Sequence, residues 1–161
     1  MTASTLRKII SGGQTGVDRG ALDAALQAGF PCGGWCPEGR LAEDGRIPDR
    51  YPVLELAGAG YRKRTLQNVL DSGATLVLFH GELTGGTRET VRFCERHGKL
   101  HLLIDAAGTE AKAATELAAA FIASHGIVIL NVAGPRESAW RGADDFSYGV
   151  ISALLVCAQD T

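Results

Sequence analysis

The sequence predicts an α/β fold: a mostly parallel sheet with helices on both faces. Three observations carry this. Apolar runs of strand length alternate with helix-periodic segments along the 161 residues, the pattern left by parallel strands joined by helical crossovers. The run at 74–79 is continuously apolar, as expected of a central strand covered on both sides. Glycine-bearing turns follow Ile10, Phe79 and Leu130, and in open α/β sheets ligands gather beyond the carboxyl ends of the strands.

The elements follow in order. Residues 1–5 are polar and expected to be loose, and residues 6–11 form the first strand. A helix over 16–28 ends at Gly29, with Ala21, Leu22, Ala25 and Leu26 on its inner face. Residues 31–52 hold four prolines, glycines and many charges with little periodicity, which predicts a long irregular binding loop or lid around Trp35. A short strand at 53–56 precedes a helix over 61–70, with Leu66, Val69 and Leu70 inward. Arg62, Lys63 and Arg64 stand at the start of that helix, where cations oppose the dipole. They either face an anion or are solvated surface charge. After the strand at 74–79 come a helix ending near His97, a strand at 100–104, an alanine-rich helix over 109–124, a strand at 127–132 and a helix over 148–158. Neither an internal repeat nor a second domain is evident, so residues 1–161 read as one domain.

Composition narrows the function. A net charge of -2 argues against bulk nucleic-acid binding, which needs many cationic contacts to phosphate. The chain has neither a bilayer-length apolar run nor a secretory leader, so a cytoplasmic protein without membrane association is expected. Four scattered cysteines suggest no disulfide framework. Cys32 and Cys36 lack two further ligands at a recognisable spacing, so no metal site is expected.

The first turn, Ser11-Gly12-Gly13-Gln14-Thr15-Gly16, joins a buried strand to a helix start. Its glycines allow backbone N–H groups to approach an oxyanion, although a tight connection without ligand has the same appearance. The turn Gly81-Glu82-Leu83-Thr84-Gly85-Gly86-Thr87 repeats the arrangement. Neither the P-loop signature nor the dinucleotide fingerprint is present.

Four motifs are familiar in combination: Ser11-Gly12-Gly13-Gln14-Thr15-Gly16-Val17-Asp18-Arg19, the segment from Gly34-Trp35-Cys36-Pro37-Glu38-Gly39-Arg40 to Gly45, Leu83-Thr84-Gly85-Gly86-Thr87, and Leu130-Asn131-Val132-Ala133-Gly134-Pro135-Arg136-Glu137-Ser138. Together the chain resembles the proposed molybdenum-cofactor carrier proteins. The resemblance implies a three-layer Rossmann-like fold related to the lysine-decarboxylase-like phosphoribohydrolases, assembly into a homo-oligomer (dimer or tetramer), and a role in holding molybdenum cofactor or a similar anion. In the related phosphoribohydrolases a P-G-G-x-G-T-x-x-E loop ends in a working glutamate. Here that position falls on Thr90, and Glu89 is turned about 100° away on a helix. Binding without catalysis is therefore expected, with no catalytic residues. The alternative is a nucleotide 5′-monophosphate phosphoribohydrolase-like enzyme or a nucleotide sensor.

The residues expected to hold a small anionic ligand (phosphate, a molybdate-like ion or molybdenum cofactor) are Gly12, Gly13, Gln14, Thr15, Gly16, Arg19, Gly85, Gly86, Thr87, Asn131, Gly134, Arg136 and Ser138. Backbone N–H groups and the Thr15 and Thr87 hydroxyls would donate to its oxygens. Arg136 either clamps the anion or pairs with Glu137 or another acid. Asn131 either meets a pterin-like ring or caps the following turn. Trp35 stacks on a heterocycle or packs on the sheet edge, and Asp18 reads chiefly as a helix cap. Arg64 and Asn68, four apart on one helix face, touch the ligand or hold the loop. His97 and His125 precede helix-ending glycines, so His80, after a strand end and close to the Gly85 turn, is the one histidine with a claim on the site.

Overall fold

The computed structural model describes residues 4–159. Five strands form one parallel sheet: β1 (Lys8–Ile10), β2 (Cys32–Gly33), β7 (Ala74–Phe79), β8 (Leu100–Asp105) and β9 (Ile129–Ala133), in the order β2-β1-β9-β7-β8. The helices are α1 (Val17–Gln27), α2 (Tyr61–Asp71), α3 (Gly85–Arg96), α4 (Ala111–His125) and α5 (Ala143–Gln159). Each expected strand and helix has a counterpart.

Strand pleating sorts the side chains into layers. Leu76 and Leu78 of β7, Leu130 and Val132 of β9 and Ile9 of β1 join the main core, which α1, α4 and α5 cover with Ala21, Ala25, Ala114, Ala118, Ile122, Ile151 and Leu155. The intervening residues point the other way. Val77 and Phe79 meet Val91 of α3, while Val69 of α2 packs on Phe93 and Cys94. Many of the covering side chains on α1 and α4 are alanines, which lets those helices lie close to the sheet.

Two boundaries shift for local reasons. Strand β9 runs on to Ala133, so its turn begins at Gly134. Helix α5 starts at Ala143, five residues before the expected Tyr148. The Glu137 carboxylate accepts from the Gly142 and Asp144 N–H groups at 2.6 and 3.0 Å and caps that helix start. At the other end of the chain, the Thr5 hydroxyl donates to the Ile127 carbonyl at 2.7 Å. Met1, Thr2 and Ala3 of the segment expected to be loose lie outside the described residues.

The segment expected to be irregular is an organised lobe. It contains β3 (Trp35–Pro37), paired in parallel with β6 (Leu54–Leu56), and a hairpin of β4 (Leu41–Ala42) and β5 (Gly45–Arg46). Cys36, Ala42, Ile47, Tyr51 and Val53 bury against Leu22 of α1. Arg40 is buried beside them. Its guanidinium donates to the carbonyls of Ile47 (3.0 Å), Val53 (2.8 Å), Pro48 (2.8 Å) and Tyr51 (3.1 Å). No strand ladder satisfies these acceptors, and only the Pro48 carbonyl has a further backbone donor, the Tyr51 N–H at 3.2 Å, so one cation supplies most of the donors this backbone lacks. The Trp35 indole N–H donates to Asp71 at 2.7 Å and pins the lobe to α2.

Arg40→Met keeps length and apolar stem but strands these carbonyls, so it should cost about 3 kcal/mol. Urea unfolding will measure the loss, and limited proteolysis should cut first between residues 38 and 53.

Candidate functional site

Because β9 lies between β1 and β7, the three strand-end turns stand side by side. Between them opens a cavity of about 480 Å³, bordered by the first glycine turn, the β9 turn, the start of α3 and the inner face of α2. Of the expected residues, Gly12, Gln14, Gly85, Gly86, Thr87, Asn131, Gly134 and Arg136 line it. Asp18, Tyr61, Arg62, Arg64, Asn68, Glu89 and Thr90 line it too.

The turn at the start of α3 leaves donors open. Its N-cap, Thr84, makes no side-chain capping bond, and no acidic residue stands in the first turn. The N–H groups of Gly85, Gly86 and Thr87 have no intrahelical acceptor, and the positive end of the helix dipole adds to them.

Three N–H groups of the first glycine turn and the start of α1 have acceptors within the fold. The Gln14 N–H donates to Asp18 at 3.2 Å, the Thr15 N–H to Gln14 Oε1 at 3.1 Å, and the Val17 N–H to the Pro135 carbonyl at 3.2 Å. Gly12 and Gln14 of this turn line the cavity, while Gly13, Thr15 and Gly16 do not. Its glycines permit close packing. A Cβ on Gly16 would sit 2.4 Å from the Pro135 carbonyl, and one on Gly13 would meet Ile47, on the lobe side. A Cβ on Gly12 would lie 1.6 Å from Arg64 Nη1, so this position makes room for the guanidinium. Gly134 crosses β7 and α1, since its Cβ would stand 2.3 Å from the Leu78 carbonyl.

Thr15, Arg19 and Ser138 are placed away from the cavity by the hairpin. Glu43 at its tip accepts from the Thr15 hydroxyl, from Ser138 Oγ at 2.5 Å and from the Ser138 N–H at 3.2 Å. Arg19 holds Asp44 in a fork of 2.5 and 2.8 Å and reaches the Gly13 carbonyl. Arg136 bridges the two regions. It lines the cavity, stands 4.0 Å from Glu43 and lies over the Tyr61 ring at 5.7 Å. The acid beside it is Glu43, whereas Glu137 caps α5.

At the cavity floor Arg64 and Asp18 form a buried pair, Nη1 to Oδ2 3.4 Å. Burial pushes the Asp18 carboxyl up, against Arg64 and the Gln14 N–H, which favour its charged form. Arg62 donates to Glu89 at 2.8 Å, and that bond holds the Glu89 carboxyl below the ordinary range. The arginines at the start of α2 thus have acidic partners inside the fold. Lining arginines (Arg62, Arg64, Arg136) still outnumber lining carboxylates (Asp18, Glu89) by one. Glu89 borders the cavity alongside Thr90, so the helical offset does not take it out of the site. The Thr90 hydroxyl is spent on the Gly86 carbonyl at 2.9 Å.

Asn131 donates from Nδ2 to Thr75 at 3.2 Å across the register-matched strands β9 and β7. Asn68 touches both the cavity and the lobe: its amide accepts the Trp35 N–H and donates to the Trp35 carbonyl, at 2.8 and 2.9 Å. His80 packs against Trp140 and does not line the cavity. Tyr61 carries no motif in the sequence. Its position at the N-terminus of a helix with cations at the next positions is the one signal that could have marked it.

Two buried donors in this region lack partners, Gln14 Nε2 and Arg64 Nε. Buried polar groups are almost always paired, so these two donors stand out beside the open helix terminus and the cationic lining of the cavity.

A model of the circularly permutated YpsA SLOG family matches residues 9–155. The chain belongs to this family. It is 42% identical to a proposed molybdenum carrier protein from Syntrophus aciditrophicus SB, with 96% of this chain and 98% of that one covered and a TM-score of 0.92. No curated protein matches the chain. The fold is accordingly a three-layer, Rossmann-like member of the SLOG family. Among the described residues, no helix is long and apolar enough to cross a membrane, and no cluster of metal-binding side chains occurs.

The hairpin contacts of this SLOG chain carry a pH signature. Burial pushes the Glu43 carboxyl up, but hydrogen bonds from Ser138 and Thr15 and the charge of Arg136 outweigh it and hold it below the ordinary 4.5. A carboxyl depressed in the fold stabilises it above the unfolded value and loses that contribution as pH falls through the folded value. Glu43→Gln should therefore flatten the loss of stability below about pH 4.5, read from urea midpoints across acidic pH.

Proposed function

We propose that this protein binds a small phosphate-bearing or molybdate-like anion, molybdenum cofactor among them, and carries it without catalysis. The observation that supports the reading best is the uncapped start of α3, whose Gly85, Gly86 and Thr87 N–H groups border the same cavity as Arg136. Phosphate oxygens accept from such helix-terminal donors, and a guanidinium matches them in a fork. The description of the Syntrophus aciditrophicus relative as a molybdenum carrier agrees with this reading. The reading includes a cytoplasmic homo-oligomer. Leu100 and Leu103 on the edge strand β8 are exposed apolar side chains that an interface between copies would cover.

A second reading has its own observation. Glu89, ionised and held by Arg62 at the cavity wall, is a carboxylate placed near the anion-binding helix start. In that reading the protein cleaves the N-glycosidic bond of nucleoside 5′-monophosphates, with Glu89 stabilising the developing positive charge on the sugar.

A thermal-shift series with phosphate, molybdate, tungstate and nucleoside 5′-monophosphates tests the first reading. A true ligand at about 100 times its Kd adds about 2.7 kcal/mol, roughly 5–10 °C for a chain of this size. Arg136→Ala, at a half-exposed position, should leave the melting temperature intact and weaken phosphate binding about tenfold or more. Release of free base from nucleoside 5′-monophosphates, lost in Glu89→Gln, would establish the hydrolase and displace the carrier. Absence of turnover supports carriage.

A further inference from the structure

Gln14 is nearly fully buried, at 5% exposure, on the cavity side of the first glycine turn. Its side-chain oxygen accepts two backbone donors, the Thr15 N–H at 3.1 Å and the Glu43 N–H at 2.9 Å. Those donors fix the orientation of the amide. Rotating it would set an NH2 group against two N–H groups, with donor facing donor. Nε2 is thereby held as the free end, and it has no partner. The neighbouring Arg64, at 9% exposure, is in the same condition at Nε, although its charge is met by Asp18 at 3.4 Å.

Charge balance decides what these donors want. At the mouth, Arg136 and the helix start present positive potential suited to phosphate. At the floor, the Arg64–Asp18 pair is balanced, and Asp18 also accepts the Gln14 N–H at 3.2 Å. A second anion there would face the Asp18 carboxylate. A neutral group that only accepts hydrogen bonds meets no such opposition. A cavity of about 480 Å³ accommodates a phosphate and a flat ring together.

Building on the anion-site reading of the α3 terminus, we infer that Gln14 determines specificity in this cavity: its fixed Nε2 donor reads a neutral carbonyl-type oxygen, such as the lactam oxygen of an oxo-heterocycle, on the end of the ligand remote from the phosphate. An amino group at the same ring position brings N–H against N–H and is rejected, because a site built to hydrogen-bond discriminates strongly against a ligand that leaves its donors unpaired.

Calorimetric titration of the full chain with inosine 5′-monophosphate, adenosine 5′-monophosphate and ribose 5-phosphate tests this. The inosine nucleotide should bind about tenfold or more tightly than the adenosine nucleotide. Gln14→Glu keeps the chain length and the oxygen that accepts from Thr15 and Glu43 but removes the N–H donors, so the preference should collapse to near parity. Equal affinities in the wild type overturn the inference, and that measurement needs no variant. A preference that survives Gln14→Glu overturns it also, leaving Gln14 as a brace between turn and hairpin. Either result, with ribose 5-phosphate still bound, leaves the anion reading standing. Failure of all three compounds to bind overturns the inference, and the anion reading then stands or falls on the phosphate, molybdate and tungstate series.

Discussion

Placing β9, the last strand in sequence, between β1 and β7 is the constraint on which the rest depends. Parallel pairing on both sides sets Ile10 beside Asn131 and Thr75 beside Asn131 in register. Segments far apart in the chain then have no choice but to turn at the same height along one sheet edge. Gly134 is the tolerance of that arrangement, since any side chain there would strike both the Leu78 carbonyl and Val17. The cavity is a consequence of topology before it is a consequence of any particular side chain.

Within that frame the two helix starts have different occupations. The α1 terminus is filled from inside by Asp18, Gln14 Oε1 and the Pro135 carbonyl. The α3 terminus has glycines at its first two positions and no internal acid. The cations of α2 are divided in the same manner, with Arg64 committed to Asp18 and Arg62 to Glu89. Arg136 is the least tightly held of the lining arginines, 4.0 Å from Glu43, and it shares the cavity with the uncapped start of α3.

Much of the fold was legible because period and punctuation agreed. The apolar run of β7 and the inward alanines of α1 and α4 speak for themselves through burial. The lobe after α1 was opaque because its strands are two or three residues long and Arg40, an ordinary surface residue by type, is its structural hub. At the site, glycine turns were visible as turns, but not which of their N–H groups were free. That depended on partners distant in sequence, such as Glu43 meeting Thr15 and Ser138, and Asp44 meeting Arg19. The pairing of Arg64 with Asp18 was hidden for the same reason, and Tyr61 became a wall residue only through the placement of α2.

The lobe braced by Arg40 sets carbonyl–guanidinium contacts beside a small apolar cluster, whereas the sheet rests on extensive aliphatic burial. Heat capacity of unfolding rises with apolar exposure and falls with polar exposure. Local opening of the lobe is therefore expected to carry a smaller heat-capacity change than unfolding of the sheet. Chilling weakens the aliphatic sheet contacts while leaving the lobe's polar brace comparatively unaffected.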